Sequence, residues 1–169
     1  ERIDLSGNPI VDFKGMKTFP ELHTIDCSNT RLTSFNYFPN QEGIKSFICK
    51  KTPLCTYQFL NLMCTIVFGQ SLESVNGISI NQNTKSNALT LTPKIRPFLV
   101  KGWTIQNLTP VKIIHTQTRQ RKTFFINFDQ HEDSELDTTR NNSNSNINDN
   151  EGDQDIYLEY DSESDVDIL

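Results

Sequence analysis

Apolar residues near the start of the chain recur in blocks at a fixed distance. Ile3-Asp4-Leu5 aligns with Ile25-Asp26-Cys27 and with Phe47-Ile48-Cys49, each block 22 residues after the last. Leu22 and Ile44 supply an apolar position ahead of the second and third blocks. Phe13, Phe35 and Tyr57 keep the same phase, as do Met16, Phe38 and Leu60. Inside the first two blocks apolar and polar residues alternate with a period of two, and the third keeps its apolar positions in phase, which predicts short strands with one buried face. Three copies that share this many positions mark an internal repeat. Asn8, Thr30 and Thr52 follow the blocks, where a side chain must satisfy backbone groups as the chain turns. Pro9 and Pro53 suit a tight turn of fixed φ.

After the third block the pattern changes. Phe59, Leu60, Met63 and Val67 predict a helix over 56–68, with Gly69 just past its end. Residues 71–80 read as a closing segment in which Asn76-Gly77 suits a turn of positive φ. Residues 81–87 are polar and read as a linker. Thr92-Pro93 can open a short helix carrying Ile95, Phe98 and Leu99, shortened by Pro97 and ended by Gly102. Residues 111–115 and 123–128 alternate as strands around a hairpin loop at 117–121. Trp103 is expected to anchor this piece against the closing segment.

The blocks resemble the leucine-rich repeat, L-x-x-L-x-L-x-x-N-x-L, in its 22-residue form. Leu72, Val75, Asn76-Gly77 and Ile80 are similar to the motif that ends such arrays, and residues 52–77 resemble the ends of many protist leucine-rich repeat proteins. The resemblance covers residues 1–80. It implies an α/β leucine-rich repeat solenoid, with a parallel sheet on a concave face, short helical turns on the convex face and a C-terminal cap. Residues 81–128 would be a small appended α+β segment of short helix plus hairpin, and 129–169 a tail. Because the first block lacks its leading apolar residue and the chain begins with Glu, further repeats are expected upstream.

Composition divides the chain differently. Apolar residues make up 35% of it, below the roughly 45–50% usual for a fully packed chain. Residues 1–128 hold 15 Lys/Arg and 7 Asp/Glu, a net +8, and residues 129–169 hold one Arg and 14 Asp/Glu, a net −13. A tail this rich in Asn, Asp, Glu and Ser cannot bury enough apolar surface to offset chain entropy, so disorder is expected there. It also suggests a tail able to shield the basic body. No stretch approaches the ~20 apolar residues of a membrane span. The four cysteines match neither a zinc spacing nor a secreted disulfide framework, which points to free thiols in the cytoplasm or nucleus.

No catalytic, cofactor or metal site is legible. His23, His115 and His131 lack a nucleophile or paired carboxylates at suggestive spacing, and there is no Gly-rich phosphate loop. Cys27 and Cys49 stand at core positions and read as small buried hydrophobes. Enzymatic activity and a small-molecule substrate are therefore not expected. The resemblance implies a scaffold that binds another protein through the outward residues of its strands: Arg2, Asp4, Ser6, Thr24, Asp26, Ser28, Ser46, Ile48 and Lys50. Phosphatase regulatory and spliceosomal proteins of the same subclass are models for that role. An alternative is kinship with the acidic leucine-rich nuclear phosphoproteins, whose tails bind basic partners such as histones. Arg119, Arg121 and Lys122 beside Phe124 and Phe125 could meet nucleic acid, but three charges are a weak footprint, and the cluster reads as a solvated hairpin tip. In the tail, Ser134, Ser162 and Ser164 resemble acidophilic kinase sites. Val166-Asp167-Ile168-Leu169 resembles a strand-adding motif for ubiquitin-like modifiers.

Overall fold

The computed structural model describes residues 1–126 and 128, and Glu1–Ile126 form one compact unit. Five short strands lie side by side in chain order: β1 (Arg2–Asp4), β2 (Thr24–Asp26), β3 (Ser46–Ile48), β4 (Ser74–Val75) and β5 (Ile78–Ser79). The 22-residue spacing reappears as register, since Arg2 pairs with Thr24 and Thr24 with Ser46, both parallel. The ladder runs past the strand ends, with the Leu5 N–H on the Asp26 carbonyl and the Cys27 N–H on the Ile48 carbonyl, both at 2.7 Å. Ile25, Phe47 and Val75 point inward and are fully buried or nearly so.

Asn8, Thr30 and Thr52 each bond local backbone. Asn8 donates to the Leu5 carbonyl at 3.0 Å, Thr30 accepts from the Leu32 N–H at 3.4 Å, and Thr52 donates to the Cys49 carbonyl at 2.7 Å. Thr52 also accepts from the Cys55 N–H and caps a 3₁₀ turn over Pro53–Thr56. The helix expected over 56–68 therefore divides into this turn and α1 (Leu60–Phe68). Gly69, at φ 86°, takes the left-handed conformation that ends α1. Asn76 and Gly77, at φ 55° and 85°, make the two-residue turn that folds β5 antiparallel onto β4.

The leucine-rich repeat solenoid expected from the spacing is not the architecture. What forms is a small α/β fold, with a five-stranded mixed sheet, a three-stranded antiparallel sheet and two α-helices. The physical reasons are local. The segments that join β1 to β2 and β2 to β3 hold no helix, because Gly7, Gly15, Asn29, Tyr37 and Gly43 take positive φ there and Pro9, Pro20 and Pro39 interrupt the rest. Insertion of α1 lengthens the next step to 28 residues, from Ser46 to Ser74, and the Asn76-Gly77 turn then reverses the chain. The interior combines buried leucines, Leu22, Leu32, Leu54 and Leu72 among them, with a cluster of rings. Phe68 meets Phe47 at 4.8 Å, Phe38 at 4.9 Å and Phe35 at 5.6 Å, and Phe13 meets Phe38 edge-on at 4.9 Å.

Past residue 80 the structure departs further from the expected short helix and hairpin. The segment 81–87, expected as a linker, opens the longest helix, α2 (Gln82–Leu99), with Asn81 as its cap accepting from the Thr84 N–H at 2.8 Å. Pro93, expected at a helix start, lies inside α2 with Pro97. Ala88, Leu91, Ile95 and Leu99 follow one face and are fully buried, with α2 packed on α1. Burial of the three large side chains stabilises by about 1.5–3 kcal/mol each, the same order as the ~3 kcal/mol cost of each interior proline. The Thr92 hydroxyl donates to the Ala88 carbonyl at 2.6 Å.

Three strands follow: β6 (Trp103–Leu108), β7 (Val111–His115) and β8 (Arg121–Phe124), antiparallel in that order. Of these, β6 was not expected, and β8 begins two residues earlier than the segment 123–128. Trp103 is an internal anchor, 7% exposed, with its ring edge-on to Phe98 at 5.6 Å and to His115 at 5.5 Å. No helix among the described residues is long and apolar enough to cross a membrane.

Candidate functional site

Strand alternation sends Ile25, Phe47 and Val75 into the core, so their neighbours must face outward. Register then sorts the outward residues into rows. Arg2, Thr24, Ser46 and Ser74 stand side by side across four strands, and Asp4, Asp26 and Ile48 form the next row. Ser6, Ser28 and Lys50 continue one step further, where the Gly7 N–H bonds the Ser28 carbonyl and the Asn29 N–H bonds the Lys50 carbonyl. All nine residues singled out in the sequence thus share one face, and none of them is buried.

Cross-strand bonds order these rows. Arg2 reaches past its own row to Asp26 on β2 at 2.9 Å and lies 3.8 Å from Asp4. Asp4 and Asp26 each accept a backbone N–H two residues on, from Ser6 at 2.9 Å and Ser28 at 3.0 Å. The Ser6 hydroxyl and N–H beside Asp4, with Arg2 adding a smaller part, hold its carboxyl below the usual carboxylate range. Ser74 donates to the Ser46 hydroxyl oxygen at 3.2 Å. The face is therefore a set of fixed polar groups around one half-buried apolar side chain, Ile48. α1 lies on the other side, against Phe35, Phe38 and Phe47.

Ser74 and Asn76 belong to this face and were missed in the sequence. Asn76 ends the ladder by accepting the Cys49 N–H at 2.7 Å, a bond that a further strand would otherwise make. The signal was present: Leu72-Glu73-Ser74-Val75 repeats the order of Leu22-His23-Thr24-Ile25, displaced by the longer 28-residue step.

The cysteines behave as core. Cys27, Cys49 and Cys64 are buried free thiols, and Cys55 is partly exposed. Burial first, with the Cys49 thiol and the Asp26 and Asp4 carboxylates adding to it, pushes Cys27 up to about 12; burial pushes Cys49 up to about 11 and Cys64 well above the usual thiol range. Thiols held protonated at neutral pH are poor nucleophiles and poor ligands, and among the described residues no group of three or more His, Cys, Asp or Glu could hold a metal ion. His115 is structural. Its Nδ1 accepts from the Thr118 N–H at 3.1 Å, so Nε2 carries the proton toward the Lys101 carbonyl at 3.0 Å.

A cleft of about 570 Å³ beside β1 is lined by Ile3, Leu5, Ile10, Phe13, Met16 and Phe19, among others. It is mainly apolar, with Asp12, Lys14 and Lys17 also lining it, and gathers no catalytic set of side chains. His131, the serines at 134, 162 and 164, and Val166, Asp167, Ile168 and Leu169 lie outside the described residues.

The described residues thus form an α/β fold of two sheets, the first of which turns a polar face outward. Comparison with protein-family models and with curated proteins finds no match to this chain.

Proposed function

We propose that the outward face of the five-stranded sheet is a non-enzymatic surface that binds another protein. The observation that carries this reading is the registered row of Arg2, Thr24, Ser46 and Ser74 beside Asp4, Asp26 and Ile48. Donors, acceptors and both signs of charge stand at fixed spacing on a rigid sheet, so little side-chain entropy is lost when a partner docks. Four strands about 4.8 Å apart span only about 15 Å, whereas a stable interface needs roughly 800 Å² per partner. The rows are then the centre of the contact, and the turns at either end of the strands make its rim.

The test places bulky cations at the centre of the rows. The full chain and a Ser46→Arg/Ile48→Arg version are used to capture partners from native lysate, and these are identified by mass spectrometry. A Lys85→Glu/Lys94→Glu version, altered on α2, is the reference. The reading expects partners retained by the wild type and the reference but lost by the sheet variant. Equal capture by all three would remove the sheet face from consideration.

A further inference from the structure

The second sheet offers a surface of different chemistry. Between residues 74 and 128 the chain holds eight Lys/Arg and no Asp or Glu. Cross-strand pairing puts Asn107, Lys112 and Thr123 in one row of the three-stranded sheet and Thr104, Ile114 and Arg121 in the next. This is the face opposite to Trp103, Ile105, Ile113 and Lys122, which lies toward α2, where Lys122 sits over the Phe98 ring at 5.2 Å. Thr104 and Ile114 are covered, but Asn107, Lys112 and Arg121 are open to solvent. Phe125, just past β8 and in alternation with Arg121 and Thr123, is 72% exposed, the most exposed of the large apolar side chains described. Arg119, in the turn before β8, is also exposed and takes positive φ.

We propose that the exposed part of this face of β6–β7–β8, beside the covered Thr104 and Ile114, binds single-stranded nucleic acid, with Lys112, Arg119 and Arg121 on phosphates and Phe125 stacked on a base. A stretch of chain with eight cations and no acid attracts any polyanion, and the exposed ring selects among them. A base presents a flat π-face that an aromatic side chain can stack on whatever the sequence, and Asn107 and Thr123 add hydrogen-bonding groups within the same row. A protein partner is disfavoured because this face presents cations alone, with no acid between residues 74 and 128, in contrast to the mixed charges on the first sheet. A membrane is disfavoured because one ring and a few cations give only a marginal anchor. A duplex groove needs a protruding helix or ribbon, and this face is a flat, short sheet.

The test measures fluorescence anisotropy of labelled single strands, oligo-dT and oligo-rU of about 12 nucleotides, titrated with the full chain from low to moderate salt. Three neutralised phosphates give a slope of log affinity against log salt near −2. Phe125→Ala is expected to weaken binding about tenfold, and Phe125→Trp to restore it. Lys112→Glu/Arg121→Glu is expected to abolish binding, whereas Lys14→Glu/Lys17→Glu, with the same change in net charge on the first region, leaves it intact. Circular dichroism confirms that each variant is folded. The proposal is overturned by absence of binding up to about 100 μM, the weak end of non-specific association. It is overturned equally by the same loss in both charge variants, by indifference to Phe125→Ala, or by tighter binding of polyglutamate or phosphatidylserine vesicles than of the oligonucleotides at equal salt.

Discussion

The first 80 residues and the 46 that follow meet the same problem, how to bury one face of a sheet, and they solve it by different means. In the first region a spacing in the sequence dictates the pairing: residues 22 apart become neighbours, so each strand inherits its register from the one before. In the second region nothing repeats. A helix with two internal prolines and a three-stranded sheet are held by what they pack against, α1 in one case and the Phe98–Trp103–Phe124 cluster in the other. Local pattern fixes structure where every copy makes the same contacts. Elsewhere tertiary burial decides, and it can override a local veto.

If the two regions share one cooperative unit, damage in either should lower a single transition. Phe47→Ala removes a fully buried ring that touches Phe35 and Phe68, and it should cost about 3–5 kcal/mol. Leu91→Ala, on the buried face of α2, should cost about 2–5 kcal/mol. Urea unfolding followed by circular dichroism should show one shifted midpoint in each variant. Two separated transitions, with only one moved, would split the comparison into independent domains.

The prolines of α2 sharpen the contrast with the opposite sign. Pro93 is exposed and lies inside the helix, where it lacks the N–H that would reach the carbonyl four residues earlier. Pro93→Ala restores that donor, while the freed unfolded chain takes back part of the gain. A net increase of about 2 kcal/mol in the urea-derived stability is expected. A decrease would mean that the ring itself contributes packing, and that α2 is not held against its own local preference.

These particulars show how much could be read in advance. The strands at 3, 25 and 47, the turn at Asn76-Gly77 and the burial of Cys27 and Cys49 follow from alternation and turn chemistry, which act within a few residues. The solenoid did not follow, because positive φ at Gly15 and Tyr37 and the longer step into β4 are decided by packing rather than by the spacing. α2 was obscured by its prolines, although Ala88, Leu91, Ile95 and Leu99 carry helical spacing and Asn81 is a good cap. On the sheet face, the nine outward residues were legible from alternation together with the 22-residue spacing that carries it past the strand ends. Ser74 and Asn76 were not, since they enter only through the shifted register.

Alkaline pH separates the regions by chemistry. All four cysteines lie in the first 80 residues, and Cys27 and Cys49 are fully buried. Both thiols have folded-state values raised from 9.0, to about 12 and about 11. Their contribution is complete below pH 9, because both states are then protonated. It is lost as pH rises from about 9 toward 11 and 12, where the unfolded chain releases protons that the folded one retains. Stability should fall by about 1 kcal/mol per pH unit for each thiol in that window. A Cys27→Ala/Cys49→Ala variant should lose this part of the slope whatever its stability at neutral pH. An unchanged slope would assign the alkaline weakness to other groups.

The smallest effect bears most directly on function. The Arg2 side chain is 54% exposed and the Asp26 side chain 13% exposed, so their 2.9 Å ion pair is open to solvent on one side. Such pairs contribute about 0–1 kcal/mol, because screening and the entropy of a long side chain consume most of the attraction. Arg2→Ala should therefore move the urea midpoint by less than the error of many core substitutions. Yet it leaves Asp4 and Asp26 as two neighbouring carboxylates on the outward rows, which makes the centre of that face acidic. If the face recognises a partner through its mixed charges, capture should fall markedly while stability barely changes. If capture and stability both hold, the Arg2–Asp26 pair is ordinary surface, and recognition must rest on the Ser46–Ile48 end of the rows. A large loss of stability would instead make the pair a clamp on the edge strand, joining β1 to β2 where the paired strand itself is only three residues long and the ladder beyond it runs through turns.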